Sequence, residues 1–185
     1  MLDNSPINSA HQSSASIPIL YSQTARTKKC KPKCTTCSHL SCKNHFTSTK
    51  TKTTYPIRHS FTCQSSNLVY LLTCKRCNKQ YVGLTTSQLN VRINHHRSNI
   101  LNKRAIYISQ HFNFEDHSLS HLVVQPIDTI KDNPQPLQEL RKLERFWIKT
   151  LKLQYNQQDL MSAQELKLRK VHQTPNISCN FVYTL

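Results

Sequence analysis

Residues 68–83 read LVYLLTCKRCNKQYVG, from Leu68 to Gly83. Leu68 to Leu72 is a β-forming run and Gln80-Tyr81-Val82-Gly83 is a second. Cys74-Lys75-Arg76-Cys77 lies between them, so the stretch predicts a β-hairpin pinned at its turn. Gly83 is the one glycine in the chain. Its solitude excludes any glycine-rich nucleotide loop.

Toward the C-terminus, Leu89, Ile93, His96 and Ile100 recur at helical spacing within residues 87–101 and fall within about 60° of one another on a helix. A polar connection holding His111 and His117 follows, then a third strand, Leu122 to Ile127, in which Pro126 argues for an edge or a bulge. Pro134 and Pro136 lead into an amphipathic helix over about 137–151, with Leu137, Leu140, Leu143, Trp147, Ile148 and Leu151 on one side. The order strand, strand, helix, strand, helix predicts a small α+β fold, a three-stranded mixed or antiparallel sheet flanked by helices. Residues 161–185 form a tail with a short helical pattern and the apolar piece Phe181-Val182-Tyr183.

Toward the N-terminus, residues 30–63 hold Cys30, Cys34, Cys37, Cys42 and Cys63 amid lysine and threonine. Such a segment is too polar to fold on apolar burial alone, and a metal would have to organise it. Residues 1–29 are Ser, Asn, Gln and Thr without periodicity, the pattern of a flexible leader. The expected divisions are therefore 1–29, 30–63, a domain over 64–160, and 161–185.

The 25 Lys and Arg outnumber the nine Asp and Glu, and no carboxylate side chain occurs between Asp3 and Glu115. A field of that sign attracts nucleic acid or an anionic membrane surface. No apolar run of about 18 residues exists for a membrane span, and Met1 to Ser16 lacks the order of a secretory signal. A soluble intracellular chain is expected. In a reducing compartment, seven cysteines crowded into residues 30–77 with histidines among and after them point to metal rather than disulfides.

Three features stand out against a plain structural reading. Glu144 projects onto the middle of the apolar stripe of its helix, where a carboxylate must be ion-paired, neutralised or metal-bound. Arg92 and His96, four residues apart, share one helix edge and can reach one phosphate, although a solvated basic edge has the same spacing. Tyr70 and Tyr81 sit one on each arm of the hairpin; alone, each fits an ordinary strand core.

Two hairpin tyrosines, then a helix with Arg and His, then a later helix with one inward Glu, resemble the GIY-YIG nuclease family in order and spacing. The first triplet is degenerate here, Leu68-Val69-Tyr70, whereas Tyr81-Val82-Gly83 matches well and puts the lone glycine on the motif's glycine. The chain is more closely similar to the endonuclease domain of Penelope-like retroelements, which set Cys-x-x-Cys between the triplets as Cys74 and Cys77 do. Residues 92–100, His111-Phe112 and Phe146-Trp147-Ile148 also look like that group, as do the upstream Cys30, Cys34, Cys37 and Cys63. After Trp147 the pattern departs: Leu153-Gln154-Tyr155-Asn156 arrives early and lacks the expected Pro and Gly.

The resemblance implies a metal-dependent DNA endonuclease with Tyr70, Tyr81, Arg92, His96, Glu144 and Asn156 at its site. Glu144 would hold Mg²⁺ or Mn²⁺, Arg92 would neutralise transition-state charge, and a tyrosine or His96 would handle the proton of the attacking water. Lys75, Arg76, Lys79, Arg97, Lys103 and Arg104 would grip the backbone of double-stranded DNA. Cys74, Cys77, His111 and His117 would form a structural Zn²⁺ site, with His121 able to replace either histidine. Cys30, Cys34, Cys37 and Cys63, with Cys42, His39 and His45 as spares, would form a second. In a retroelement the nick would supply a 3′-hydroxyl to a separate reverse transcriptase acting on element RNA, in the nucleus. The competing reading is a zinc-stabilised basic DNA-binding module without catalysis.

Overall fold

The computed structural model describes residues 25–31, 33–130 and 135–153. The predicted hairpin is present as β3 (Leu68–Cys74) and β4 (Gln80–Thr85), antiparallel, with Tyr70 opposite Gly83 and Leu72 opposite Tyr81. Its turn closes through Cys74 N–H to the Lys79 carbonyl at 2.9 Å and Asn78 N–H to the Cys74 carbonyl at 2.8 Å. Asn78 takes the left-handed conformation there, φ 59°, which asparagine tolerates better than most residues.

The third strand, β5 (Leu122–Thr129), runs antiparallel on the other side of β3 and gives the order β4-β3-β5. Every pairing in this sheet is antiparallel, so the mixed alternative falls away. Pro126 stands at both features its sequence suggested. β5 is one of the two edge strands, and the register shifts between Val69 and Tyr70, where Pro126 and Asp128 pair with Tyr70 and Val69 and Ile127 is left over. The outer edge of β5 is covered by residues 39–41, through Val124 N–H to the His39 carbonyl and Ser41 N–H to the Val124 carbonyl, both 2.8 Å.

Helix α1 (Leu89–Leu101) buries Leu89, Ile93, His96 and Ile100 on the Tyr70 face of the sheet. Gln88 gives it no side-chain cap. Its first amides instead bond main-chain carbonyls, Leu89 N–H to Ser65 at 2.9 Å and Asn90 N–H to Cys63 at 2.7 Å. These contacts satisfy donors that a helix start otherwise leaves without partners.

Three sequence expectations change. The connection holding His111 contains a short helix, α2 (Tyr107–Phe112), and a 3-10 turn, Leu119–His121. Residues 30–63 form a two-stranded hairpin, β1 (His45–Thr47) and β2 (Thr54–Pro56), and bury Leu40, Phe46, Ile57 and Phe61 in the common core. Thr27, expected in an unstructured leader, is buried and bridges Phe61.

The reason is non-local packing. Helix α3 (Pro136–Thr150) brings Trp147 to within 5.1 Å of Phe46 and 5.5 Å of Tyr55, ring centre to ring centre. Gln125 Nε2 then donates to the His45 carbonyl at 2.8 Å and Ser48 Oγ to the Leu151 carbonyl at 3.0 Å. The polar hairpin is thus fixed by partners about 80 and 100 residues away, which no local pattern could announce. No described helix is long and apolar enough to cross a membrane.

Candidate active site and metal centres

Tyr70 is fully buried on β3 because its strand partner is Gly83, over which the ring lies. A Cβ at Gly83 would stand 2.7 Å from both Tyr70 Cζ and its hydroxyl. From α1, Arg92 Nε–H donates to the Tyr70 hydroxyl at 3.0 Å. The same hydroxyl lies 2.8 Å from His96 Nε2. With its lone pair facing Arg92, Tyr70 directs its own proton at the imidazole. His96 suits that role, since burial drives its pKa down to about 3 and keeps the ring neutral.

Arg92 belongs to a second grouping as well. Tyr81 on β4, Arg92 and His95 on α1, and Arg141 and Glu144 on α3 line one cleft of about 310 Å³, together with Thr85 at the end of β4 and Thr86 and Ser87 in the turn after it. Glu144 is only 7% exposed, so its carboxylate sits at the inner wall. Tyr70 and His96 do not line this cleft. The five described candidates therefore form a buried hydrogen-bonded pair, Tyr70 with His96, and a cleft lining, Tyr81 with Glu144, joined by Arg92. Asn156 lies outside the described residues.

Arg141 and the turn at 86–87 carried no mark in the sequence, and His95 fell only within the stretch 92–100 that carries part of the resemblance. Arg141 was within reach: it stands three residues before Glu144 and therefore on the same helix face. The turn carried no signal beyond following the second strand.

Cys74, Cys77, His111 and His117 bring one ligand atom each to within 4.8 Å of one another. Cys77 Sγ and His111 Nε2 are 3.6 Å apart; tetrahedral zinc with bonds of about 2.3 Å to sulfur and about 2.0 Å to nitrogen requires roughly 3.5 Å. His117 donates from Nδ1 to the Phe114 carbonyl at 3.0 Å, which leaves Nε2 as the lone-pair nitrogen. That atom is buried without a hydrogen-bond partner. A neutral imidazole held by its other nitrogen is the form a metal takes. Burial lowers the His111 pKa to about 4, favouring the same form.

Cys30, Cys34, Cys37 and Cys63 make a second such group. Their sulfurs stand 3.6 Å apart for Cys30 and Cys37 and 3.8 Å for Cys34 and Cys63, close to the roughly 3.8 Å edge of a tetrahedral thiolate site. Hydrogen bonding from the Cys37 main chain lowers the Cys34 pKa to about 7. Both groups could hold zinc.

None of the proposed substitutes joins either group. His121 Nδ1 accepts the Ser118 amide at 3.2 Å in a capping arrangement, His39 Nδ1 bonds the Leu122 carbonyl at 3.1 Å, His45 bonds Asn44, and Cys42 is exposed.

Of the expected backbone grips, Lys75 and Arg76 are exposed on the hairpin turn, and Lys103 and Arg104 are exposed after α1. Arg76 reaches Asp116 at 3.3 Å. Lys79 and Arg97 are half-buried, and Arg97 bonds Asn94 at 3.0 Å.

Residues 66–156 match the family described as the GIY-YIG catalytic domain. The match runs from β3 to just past α3 and contains the whole cleft, so it supports the GIY-YIG superfamily for this part of the chain. GIY-YIG nucleases are metal-dependent, and the match implies a nuclease domain with DNA as its substrate. Comparison with curated proteins and with solved structures gives no match.

Proposed function

We propose that this chain is a DNA-nicking endonuclease of a retroelement, of the Penelope-like kind, whose product 3′-hydroxyl primes reverse transcription at the cut. The observation that carries the nuclease part is the convergence of Tyr81, Arg92 and Glu144 on one cleft. The retroelement part rests on the Cys-x-x-Cys between the two triplets and on the cysteine-rich entry segment.

Glu144 would hold Mg²⁺ or Mn²⁺. A buried carboxylate in a cleft that the oxygen-bearing residues Tyr81, Thr86 and Ser87 also line fits a hard, oxygen-seeking cation. When bound, such a cation supplies stabilisation of the leaving oxygen.

Arg92 neutralises charge growing on the phosphoryl oxygens. Tyr81, facing the cleft, positions the attacking water. Tyr70 and His96 hold Arg92 from behind, His96 accepting the Tyr70 hydroxyl in a hydrogen bond while that hydroxyl accepts from Arg92. Lys75, Arg76, Lys79, Arg97, Lys103 and Arg104 grip the duplex backbone. The two cysteine-containing groups hold structural zinc. A reverse transcriptase, element RNA and a nuclear location belong to the same proposal, since chromosomal DNA is the target it requires.

The test is nicking of supercoiled plasmid with Mg²⁺ or Mn²⁺. Wild type is expected to nick, Glu144→Ala to lose at least 100-fold, and Tyr70→Phe to lose on the order of tenfold to 100-fold. Equal rates in all three refute the assignment of these residues. DNA binding without cleavage under either cation marks the chain as a binding module instead.

A further inference from the structure

A second cleft, of about 300 Å³, shares no lining residue with the one holding Glu144. Tyr55, Arg58, His59, Asp128, Phe146 and Trp147 line it. Phe146 is 55% exposed, on the helix whose Leu140 and Glu144 turn inward. Its ring stands 5.1 Å from Trp147 at 74°, and Tyr55 stands 5.5 Å from Trp147 at 82°. Three aromatic rings thus line the cleft, and the exposed Phe146 ring is the one free to stack on a flat ring.

Asp128 accepts the Trp147 indole N–H at 2.9 Å and lies 3.7 Å from His59. Its carboxylate is therefore engaged in pinning the indole and facing a histidine. The cations nearby are Arg58 in the lining and the exposed Arg145 and Lys149, which flank Phe146 on α3. Aromatic faces beside positive charge suit a planar apolar ring carried on a chain of phosphates. A paired base in a duplex buries both faces and cannot enter. We propose that this cleft takes an unpaired nucleobase of a single-stranded nucleic acid, whose phosphates meet Arg58, Arg145 and Lys149.

The inference rests on the nucleic-acid-binding side of the proposed function but not on cleavage. Trp147 is the single tryptophan of the chain, so its fluorescence reports this cleft alone. The full chain is titrated with a thymidine 12-mer, an abasic 12-mer of equal charge and a blunt duplex, alongside plasmid nicking. The thymidine strand is expected to quench Trp147, and the abasic strand to bind roughly tenfold more weakly without quenching. Phe146→Ala should weaken thymidine-strand binding roughly tenfold or more, whereas Phe146→Tyr keeps it within about twofold and both variants nick like wild type.

Equal affinity for thymidine and abasic strands, equal quenching by duplex, or an unaltered Phe146→Ala overturns the inference. No quenching by any strand while Glu144-dependent nicking persists removes this site and leaves the nuclease standing. Quenching without nicking does the reverse.

Discussion

Gly83 is the residue with the least freedom to change. Its φ is not positive, so the glycine serves a close approach: Tyr70 occupies the space a side chain would need. The left-handed positions are filled instead by residues such as Asn67 and Asn78. Gly83→Ala is expected to push the Tyr70 ring off Arg92 and His96, lowering stability by about 1–3 kcal/mol and nicking by more than the melting curve accounts for. A thermal melt paired with the nicking rate checks this.

His96 gives a prediction in pH. Its pKa falls from the ordinary 6.5 to about 3 on folding, because burial disfavours the charged ring. Below about 6.5 the unfolded chain takes up a proton that the folded chain refuses. The stability this group contributes is therefore full above that pH and drains as pH falls toward 3. His96→Gln should flatten that acid limb relative to wild type, by on the order of a few kcal/mol, read as the difference between their urea midpoints across pH. A histidine inside an apolar stripe was legible in the sequence. That it faces Tyr70 rather than the cleft was not, since helical spacing gives a side and not a partner.

Among the elements, the predicted ones are those whose apolar residues recur at their own period: β3, β4, α1, β5 and α3. Those overlooked, β1, β2 and α2, are three to six residues long and carry too few repeats to show a period. Glu144 was legible as a carboxylate on a leucine stripe, but its meeting with Tyr81 and Arg92 depends on how three elements pack. Cys63 links two of these levels. Its sulfur stands among Cys30, Cys34 and Cys37, while its carbonyl accepts the second amide of α1, the helix that carries Arg92. Cys63→Ser is expected to cost one zinc in native mass spectrometry and to lower nicking at least tenfold, although it lies outside the cleft. Cys77→Ser should lose the other ion; retention of both ions in both variants would mean that neither ligand set is right.

Over the whole molecule, the formal net charge of +16 makes affinity for DNA a matter of counterions. Replacing Lys75 and Arg76 by alanine should lower the slope of log affinity against log salt by about 2 with little change in sequence preference. Anisotropy titrations at several salt concentrations measure it. The charge was plain in the sequence. Its partner was not, because a basic chain suits nucleic acid and anionic lipid alike until a cleft narrows the choice.

The two proposed zinc sites have a consequence for the unfolded chain. One ties residue 30 to residue 63 and the other residue 74 to residue 117, closing two loops that do not overlap. Held there, each ion removes loop-closure entropy from the disordered ensemble much as a covalent staple would, on the order of 4 kcal/mol apiece. Helix α3 lies beyond both loops. It is retained by apolar packing and by bonds such as Trp147 to Asp128 and Ser48 to Leu151. It should therefore be the first element to detach, with its amides exchanging hydrogen well before those of β3 in the zinc-loaded protein. Glu144 would leave with it, so that opening of one helix disarms the cleft while the tethered remainder stays folded.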